Sequence, residues 1–272
     1  MHFWPLSIEN KYSAADLVTW GRERPYLPFV SILVYLIMVH YGPKLMERRK
    51  PFNPRLLLFI WNTFLSIFST IFTIRLVSHV AFELKHMSLL EKVCVVRVDN
   101  VTSLWAYLFT ISKIWEMADT LFLILKKKPV IFLHWYHHIT ALLFAWFASD
   151  HELPVVFLFA IFNSFVHSLM YGYFACQTIG IRVPKPLSMM LTGLQISQMA
   201  FGLYAFYLPI RAERMGIPCH NPRPIWLFGL LIYGSYLVLF INFFIQSYVT
   251  GKTVRECVSG PVDDNQNVKK VM

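Results

Sequence analysis

Apolar residues in this chain are gathered into runs that approach or reach the length needed to cross a lipid bilayer. A helix that spans the hydrocarbon needs roughly 20 mostly apolar residues and satisfies its backbone hydrogen bonds internally. The pattern therefore predicts an all-α, polytopic membrane protein with seven transmembrane helices. The predicted spans are 26–42, 56–80, 104–125, 130–149, 154–176, 188–209 and 224–249.

These spans divide the chain into three parts. Residues 1–25 form a lumenal N-terminal segment, residues 26–249 a seven-helix transmembrane domain and residues 250–272 a cytosolic tail. The first segment is charged and lacks the apolar core of a cleavable signal peptide, so the first span is expected to act as the targeting signal.

Composition excludes an ordinary soluble domain. Hydrophobic residues make up 56% of the chain and charged residues 15%, whereas soluble domains carry about 25% charged residues. Lysine and arginine are concentrated in the segments that face the cytosol if the N-terminus is lumenal, and this bias favours that orientation. The same bias would suit a polyanionic cytosolic ligand, or it reports membrane insertion alone. No nucleic-acid partner is expected.

Short motifs agree with this orientation. Asn100-Val101-Thr102 is a glycosylation sequon in a lumenal segment, and Asn100 is its acceptor. Lys269 and Lys270 precede the last two residues, an arrangement typical of retrieval signals on cytosolic tails of endoplasmic-reticulum membrane proteins. We therefore expect a glycoprotein of that membrane. Cys94 and Cys219 both fall on the oxidising, lumenal side, so a disulfide between them can form.

Charged residues inside the third predicted span need partners or a function, because a charge at that depth is costly. Lys113, Glu116 and Asp119 are spaced by three and share one arc of a helix, with Thr120 almost beneath Lys113. They must face the protein interior. Either they form a structural ion-pair network or they take part directly in chemistry.

Three histidines mark the start of the fourth predicted span. His134, His137 and His138 lie at i, i+3 and i+4, so their imidazoles converge on one face of a helix. Such a group can ligate a metal, or it can act as an acid, a base or a nucleophile near neutral pH. A purely structural trio is the remaining alternative.

Two further polar stripes follow in the fifth and sixth predicted spans. Both can face the same interior cavity as the histidines, although interhelical hydrogen bonding alone would also explain the glutamines. The stripes are Asn163, His167 and Tyr171, spaced by four, and Thr192, Gln195 and Gln198, spaced by three.

Taken in order, these motifs resemble the signatures of the fatty-acid elongase family, and the resemblance covers essentially the whole chain. The matching motifs are Lys113-x-x-Glu116-x-x-Asp119-Thr120, His134-x-x-His137-His138, His167-x-x-Met170-Tyr171-x-Tyr173 and Thr192-x-x-Gln195-x-x-Gln198. Phe174 departs from the pattern, since the family often has a second tyrosine there. Trp135 within the histidine motif resembles the branch that acts on saturated and monounsaturated acyl-CoAs.

The resemblance implies the condensing enzyme of microsomal elongation, a very-long-chain 3-oxoacyl-CoA synthase. This acyltransferase joins a long-chain acyl-CoA to malonyl-CoA, its co-substrate, and releases CO₂ and CoA without a redox cofactor or a metal. It also implies six spans in a barrel around a substrate tunnel, with the first span outside. Expected partners are the ketoacyl-CoA reductase, hydroxyacyl-CoA dehydratase and enoyl-CoA reductase of the same cycle, and a homodimer is expected.

Residue types suggest roles within this chemistry. No cysteine lies among the polar stripes, so an imidazole is the natural acyl acceptor, and we assign that role to His137. His138 and His167 would bind or polarise the malonyl group, while Glu116 and Asp119 would orient the imidazoles. Asn163, Gln195 and Tyr171 would donate hydrogen bonds to carbonyl or enolate oxygen. Basic residues would contact the CoA phosphates, namely Lys126, Lys127, Lys128, Arg182, Lys185, Lys252 and Arg255.

Two rival classes remain open from the sequence. A membrane di-iron desaturase or hydroxylase also carries histidine motifs, but it needs several such clusters and this chain has one. A seven-helix transporter or receptor would use buried charges to line a permeation route or a ligand pocket.

Overall fold

The described part of the chain is helical throughout. The computed structural model describes residues 9, 11–83, 86–94, 99–151 and 153–250, and within these ranges it contains no strand. The predicted all-α class is thus confirmed for these residues. The helices are α1 Ala14–Arg22, α2 Leu27–Met46, α3 Arg55–Glu83, α4 Leu89–Cys94, α5 Asn100–Glu116, α6 Ala118–Leu125, α7 Phe132–Asp150, α8 Val156–Thr178, α9 Lys185–Arg214 and α10 Arg223–Phe244, followed by a π-helical turn at Ile245–Val249.

Four helices in the described residues are long and apolar enough to cross a membrane, so the chain is a multi-pass membrane protein. They are Leu27–Met46, Arg55–Phe82, Val156–Thr178 and Arg223–Val249, and they correspond to the first, second, fifth and seventh predicted spans. Of the other three predicted spans, the third is divided into two shorter helices, and all three carry polar residues that the fold buries.

The third predicted span, 104–125, is not one continuous helix. It is divided at Met117 into α5 and α6, and the Thr120 amide donates to the Met117 carbonyl at 3.3 Å. This bond joins residues three apart, whereas an α-helical bond joins residues four apart, so one tighter turn links the two helices. The apolar pattern did not reveal this turn, because Met117 is itself apolar and buried.

The long helices pack side by side in a definite order. Helix α3 contacts α8, α8 contacts α9, α9 contacts α10, α10 contacts α7, α7 contacts α5, and α5 contacts α3. Helix α2 contacts α6 and α7. Most of its large apolar side chains are exposed on its outer side, as expected for a helix that faces lipid.

An aromatic cluster fills the interior between α7, α8, α9 and α10. The ring of Phe159 lies 4.8 Å from the ring of Phe206 and 4.9 Å from that of Tyr233, and Phe144 packs beside them. Helix α9 admits the Tyr233 ring against its backbone at Gly202, where an added Cβ would overlap that ring. The cluster therefore closes the interior over this stretch of the bundle.

One end of the bundle is fixed by covalent and ionic links between distant segments. Cys94 at the end of α4 forms a disulfide with Cys219, and the His220 amide donates to the Cys94 carbonyl at 3.1 Å. Nearby, Glu9 forms an ion pair with Arg75 of α3. We call this end the disulfide end, and the opposite end, which carries Lys126, Lys127 and Lys128, the basic end.

The disulfide should stabilise the fold through the unfolded chain, because it closes a loop with a sequence separation of 125. Replacing both cysteines by serine should lower the free energy of unfolding by about 2–4 kcal/mol, seen as a lower melting temperature in detergent. Cys176→Ser is the control, since Cys176 is a free thiol. A double variant that melts with the wild type would contradict this expectation.

Candidate active site

A cavity of about 670 Å³ opens between the long helices and reaches the basic end. Its lining includes most of the residues singled out in the sequence, and they come from α5 to α9. These are Glu116, Asp119, Lys126, Lys128, His134, His137, His138, Asn163, His167, Tyr171, Thr192, Gln195 and Gln198. The four polar stripes thus meet around one volume.

A second, smaller cavity lies against the first. It is lined by Lys113 and the aromatic cluster, and it shares His137, Asn163 and Gln198 with the larger cavity. His137 therefore stands at the junction between a polar chamber and a mainly apolar one.

A buried ion pair organises the contact between α5 and α8. The Lys113 ammonium lies 2.8 Å from Glu116 Oε1 and donates to Asn163 Oδ1, also at 2.8 Å. His167 lies on the other side, with Nδ1 3.5 Å from Glu116 Oε2 and Nε2 3.2 Å from Asn163 Nδ2. These four side chains form a closed network, and both ring nitrogens of His167 face protein groups.

Asp119 belongs to a different set of contacts from Glu116. Its carboxylate accepts hydrogen bonds from Trp61 Nε1 at 2.7 Å and from the Tyr171 hydroxyl at 2.8 Å. The sequence predicted that Glu116 and Asp119, on one arc of a single helix, would together orient the imidazoles. The structure instead gives each carboxylate its own partners, because the turn at Met117 separates them.

The three histidine rings at the start of α7 have different contacts. His134 Nε2 lies 2.8 Å from Thr120 Oγ1, and its ring centroid is 4.5 Å from that of His138. The His137 ring lies 5.9 Å from His138 and 4.8 Å from Tyr236. Its Nδ1 is buried and has no hydrogen-bond partner among the described residues.

The stripe on α9 lines the cavity wall opposite the histidines. Gln195 Nε2 lies 3.4 Å from the Met170 sulfur, a weak acceptor. The Thr192 hydroxyl donates to the Ser188 carbonyl at 3.2 Å and lies 3.4 Å from the Tyr248 hydroxyl. The Gln195 amide thus has no strong competing partner among these contacts.

Some of the basic residues predicted to contact the CoA phosphates line the cavity, and others do not. Lys126 and Lys128 line the cavity. Lys127 points elsewhere, since it has a left-handed backbone (φ 53°) and its ammonium donates to the Glu47 carbonyl at 2.9 Å. Arg182 and Lys185 are exposed and are not among the described residues that line the cavity. The predicted positions Lys252, Arg255, Lys269 and Lys270 lie outside the described residues.

The predicted glycosylation acceptor is exposed and begins α5. Asn100 Oδ1 accepts a hydrogen bond from the Ala14 amide at 2.9 Å, and the Thr102 hydroxyl donates to Asp99 Oδ2 at 2.7 Å. Glycosylation of Asn100 stays a prediction.

Sequence reasoning missed several contributors to the site. Tyr35 and Trp61 reach Thr120 and Asp119 from α2 and α3. Each is a single aromatic residue with one polar group in a mostly apolar helix, and the sequence alone does not mark such a residue as part of a site. The lining also includes Asn62 and, toward the basic end, Tyr173, Gln177 and Tyr248. In the described residues no group of three histidine, cysteine, aspartate or glutamate side chains is arranged to hold a metal ion.

Membrane-length helices and a histidine-lined cavity between them define a multi-pass membrane protein with an internal polar cavity. The sequence matches the ELO family, described as the GNS1/SUR4 family, over residues 20–256. It is 35% identical over 246 residues to mouse "very long chain fatty acid elongase 3", covering 87% of this chain and 90% of that protein. It is 34% identical over 244 residues to human "very long chain fatty acid elongase 6", covering 89% and 92%.

A nematode relative extends the comparison. The chain is 33% identical over 247 residues to "putative fatty acid elongase 3" of Caenorhabditis elegans, covering 90% of this chain and 77% of that protein. The chain belongs to the ELO family. The fatty-acid elongase family predicted from the motifs is thereby confirmed, and with it the class of condensing enzyme of fatty-acid elongation.

The buried ion pair should be essential for stability as well as for the site. Glu116→Gln leaves the Lys113 ammonium without its counter-charge inside the bundle, and breaking a buried pair in this way costs about 3–5 kcal/mol. We expect a much lower melting temperature in detergent and no activity.

The control replaces both charges at once. Lys113→Met combined with Glu116→Leu should recover much of the melting temperature, because no uncompensated charge remains, while condensation stays absent. Equal melting temperatures for Glu116→Gln and the wild type would show that the pair does not hold the helices together.

Proposed function

We propose that this chain joins an acyl-CoA to malonyl-CoA through an acyl-histidine intermediate at His137. The observation that carries this proposal is the position of His137 at the junction of the two cavities, with a buried Nδ1 that has no partner among the described residues. His134 and His167, by contrast, already hold hydrogen bonds to Thr120 and Asn163.

The first carbons of the acyl chain would lie in the smaller cavity, whose volume is about 40 Å³, and the CoA moiety in the larger one. The first is lined mainly by apolar and aromatic side chains, and the second reaches Lys126 and Lys128. Ammonium groups suit the phosphates of CoA. This placement brings the thioester between the two cavities, next to the His137 ring.

In the first step the unprotonated ring nitrogen of His137 attacks the thioester carbonyl. A nitrogen–carbon bond forms, the carbon–sulfur bond breaks, and the proton of the other ring nitrogen passes to the departing thiolate. The products are acyl-His137 and free CoA. An imidazole is a competent acyl acceptor because its pKa lies near neutrality.

In the second step malonyl-CoA loses CO₂ and forms an enolate. The enolate carbon attacks the acyl carbonyl, the bond to the imidazole breaks, and a proton from solvent restores neutral His137. His138 and the Gln195 amide face the cavity and would stabilise the enolate oxygen. His167 would act through Asn163, with which it already shares a hydrogen bond. Malonyl-CoA supplies the carbon nucleophile, so we expect no redox cofactor and no metal.

The order of helix contacts supports a barrel of six spans. The contacts from α3 through α8, α9, α10, α7 and α5 return to α3, and the cavities lie among these helices, whereas α2 packs on α6 and α7. We propose seven spans in all, with α5 and α6 together making one. A lumenal disulfide end would place the basic end in the cytosol, where CoA esters are found, in the endoplasmic-reticulum membrane.

The aromatic cluster would set the length of the acyl chain. Tyr233, Phe144 and Phe159 line the smaller cavity away from the basic end, and Phe206 packs behind them. Two other tyrosines of α9 and α10 do not fit that role, since Tyr204 is 47% exposed and Tyr236 lies beside His137. The chain-length limit should therefore depend on the ring of Tyr233.

An acyl-histidine intermediate predicts a half-reaction. Purified enzyme given acyl-CoA alone should release CoA and gain one acyl mass on a peptide that contains His137. His137→Ala should lower both signals and overall turnover by about 10³-fold or more. The measurement combines thiol release with peptide mass spectrometry.

His138→Ala is the matched comparison, because it removes the neighbouring ring and leaves the acceptor. It should keep CoA release from acyl-CoA alone and lose condensation by about 10²–10⁴-fold. Acylation that persists in His137→Ala, or that maps to Cys176, would reject His137 as acceptor. Absence of CoA release before malonyl-CoA is added would reject the covalent scheme.

Removing the Tyr233 ring should shift chain-length selectivity. Tyr233→Ala opens space next to the smaller cavity, so the products should extend by at least one further two-carbon addition when a series of acyl-CoAs is supplied. Tyr204→Ala is the control, because that side chain is exposed. Identical product profiles for Tyr233→Ala and the wild type would place the chain-length limit elsewhere.

A further inference from the structure

Tyr35 is a buried polar group on a helix that otherwise faces outward. It is 2% exposed, whereas Leu33, Val34 and Ile37 around it are 50% exposed or more. Its ring packs with Met117 and Leu142. Helix α2 thus directs one hydroxyl inward, although it lies outside the ring of helices that encloses the cavities.

That hydroxyl reaches the histidine motif through one intermediate side chain. The Tyr35 hydroxyl lies 2.8 Å from Thr120 Oγ1, and Thr120 Oγ1 lies 2.8 Å from His134 Nε2. The Tyr35 ring is also 6.0 Å from the His138 ring, which packs against His134 on its other side. Tyr35 therefore reaches the first and the last histidine of the motif, His134 through a hydrogen-bond chain and His138 through its ring.

The protons in this chain have one arrangement that uses both hydroxyl groups as donors. Tyr35 donates to Thr120, Thr120 donates to His134 Nε2, and the proton of neutral His134 then resides on Nδ1. In this arrangement Thr120 links the Tyr35 hydroxyl to the His134 ring through two hydrogen bonds of 2.8 Å each, which restrains the orientation of that ring.

We propose that Tyr35 is a positioning residue that acts through Thr120 to fix the ring orientation of His134, and thereby the packing of His138. The inference rests on the proposed condensation reaction. Because His138 works at the malonyl step there, loss of the Tyr35 hydroxyl should slow that step and leave the transfer of the acyl group to His137 intact.

Tyr35→Phe tests this directly, since it removes one oxygen and keeps the buried ring. We expect kcat for condensation to fall about tenfold, because the His138 ring is less well oriented for the malonyl step. kcat/KM for acyl-CoA should stay unchanged, because it reports only the transfer of the acyl group to His137, so the apparent KM for acyl-CoA should fall together with kcat. KM for malonyl-CoA should stay within about twofold, the pattern of an interaction that does not contribute to substrate binding. CoA release from acyl-CoA alone should match the wild type, and the melting temperature should fall by no more than about 5 °C.

Variants at Thr120 distinguish the chain from a purely structural contact. Thr120→Ser keeps the hydroxyl and should keep activity, while Thr120→Val keeps the shape and should lose about as much kcat as Tyr35→Phe. The double variant Tyr35→Phe with Thr120→Val should be no slower than Thr120→Val alone, because both changes break one chain. Tyr41→Phe, on the same helix and 55% exposed, should leave kcat unchanged.

The outcomes separate this inference from the function on which it rests. Wild-type enzyme that forms no 3-ketoacyl-CoA would overturn the proposed reaction itself. Active wild type together with unchanged kcat in Tyr35→Phe would overturn the role of Tyr35 alone. Multiplicative losses in the double variant, or a loss confined to KM, would also overturn it, since either result means that the hydroxyl does not act on turnover through Thr120.

Discussion

The ion pair between Lys113 and Glu116 is the interaction on which the arrangement of the site depends. An unpaired charge inside a helical bundle costs several kcal/mol, so the pair must be enclosed by protein groups that satisfy its remaining hydrogen bonds. Asn163 and His167 meet that requirement from α8. This constraint fixes the rotation of α5 relative to α8, and it places the polar stripe of α8 on the cavity wall that faces the histidine motif of α7.

Helical periodicity and the cost of burying polar groups made much of the site predictable. Residues three or four apart lie on one face of a helix, and a polar face that points toward lipid is costly. The four polar stripes were therefore expected to face the protein interior. Individual partners were not predictable in the same way. Asp119 and Glu116 share an arc, yet they bind different side chains, because rotamers and the turn at Met117 depend on contacts between distant segments.

Hydropathy was least informative where the chemistry is concentrated. The four helices that satisfy length and hydropathy limits carry mostly apolar residues, whereas α5, α7 and α9 hold the charged and polar residues of the site. The polar residues of these helices are stabilised by contacts with other helices. The mean hydropathy of a sequence segment does not reveal such contacts. Surface lysines were also hard to assign, since Lys126 and Lys127 are adjacent and yet only the first lines the cavity.

Water exclusion links the ion pair to the proposed covalent intermediate. An acyl-imidazole is reactive toward water, so its carbonyl must lie where ordered water is scarce until malonyl-CoA arrives. Lys113 and Asn163 line the smaller cavity together with His137 and Gln198, and an ammonium or amide group without a partner would attract water there. Because Lys113 donates to both Glu116 and Asn163, the Lys113 ammonium and the Asn163 carbonyl oxygen are already hydrogen-bonded to protein atoms. The network that stabilises the bundle would therefore also keep water away from the smaller cavity, where the proposed acyl-histidine would otherwise be hydrolysed.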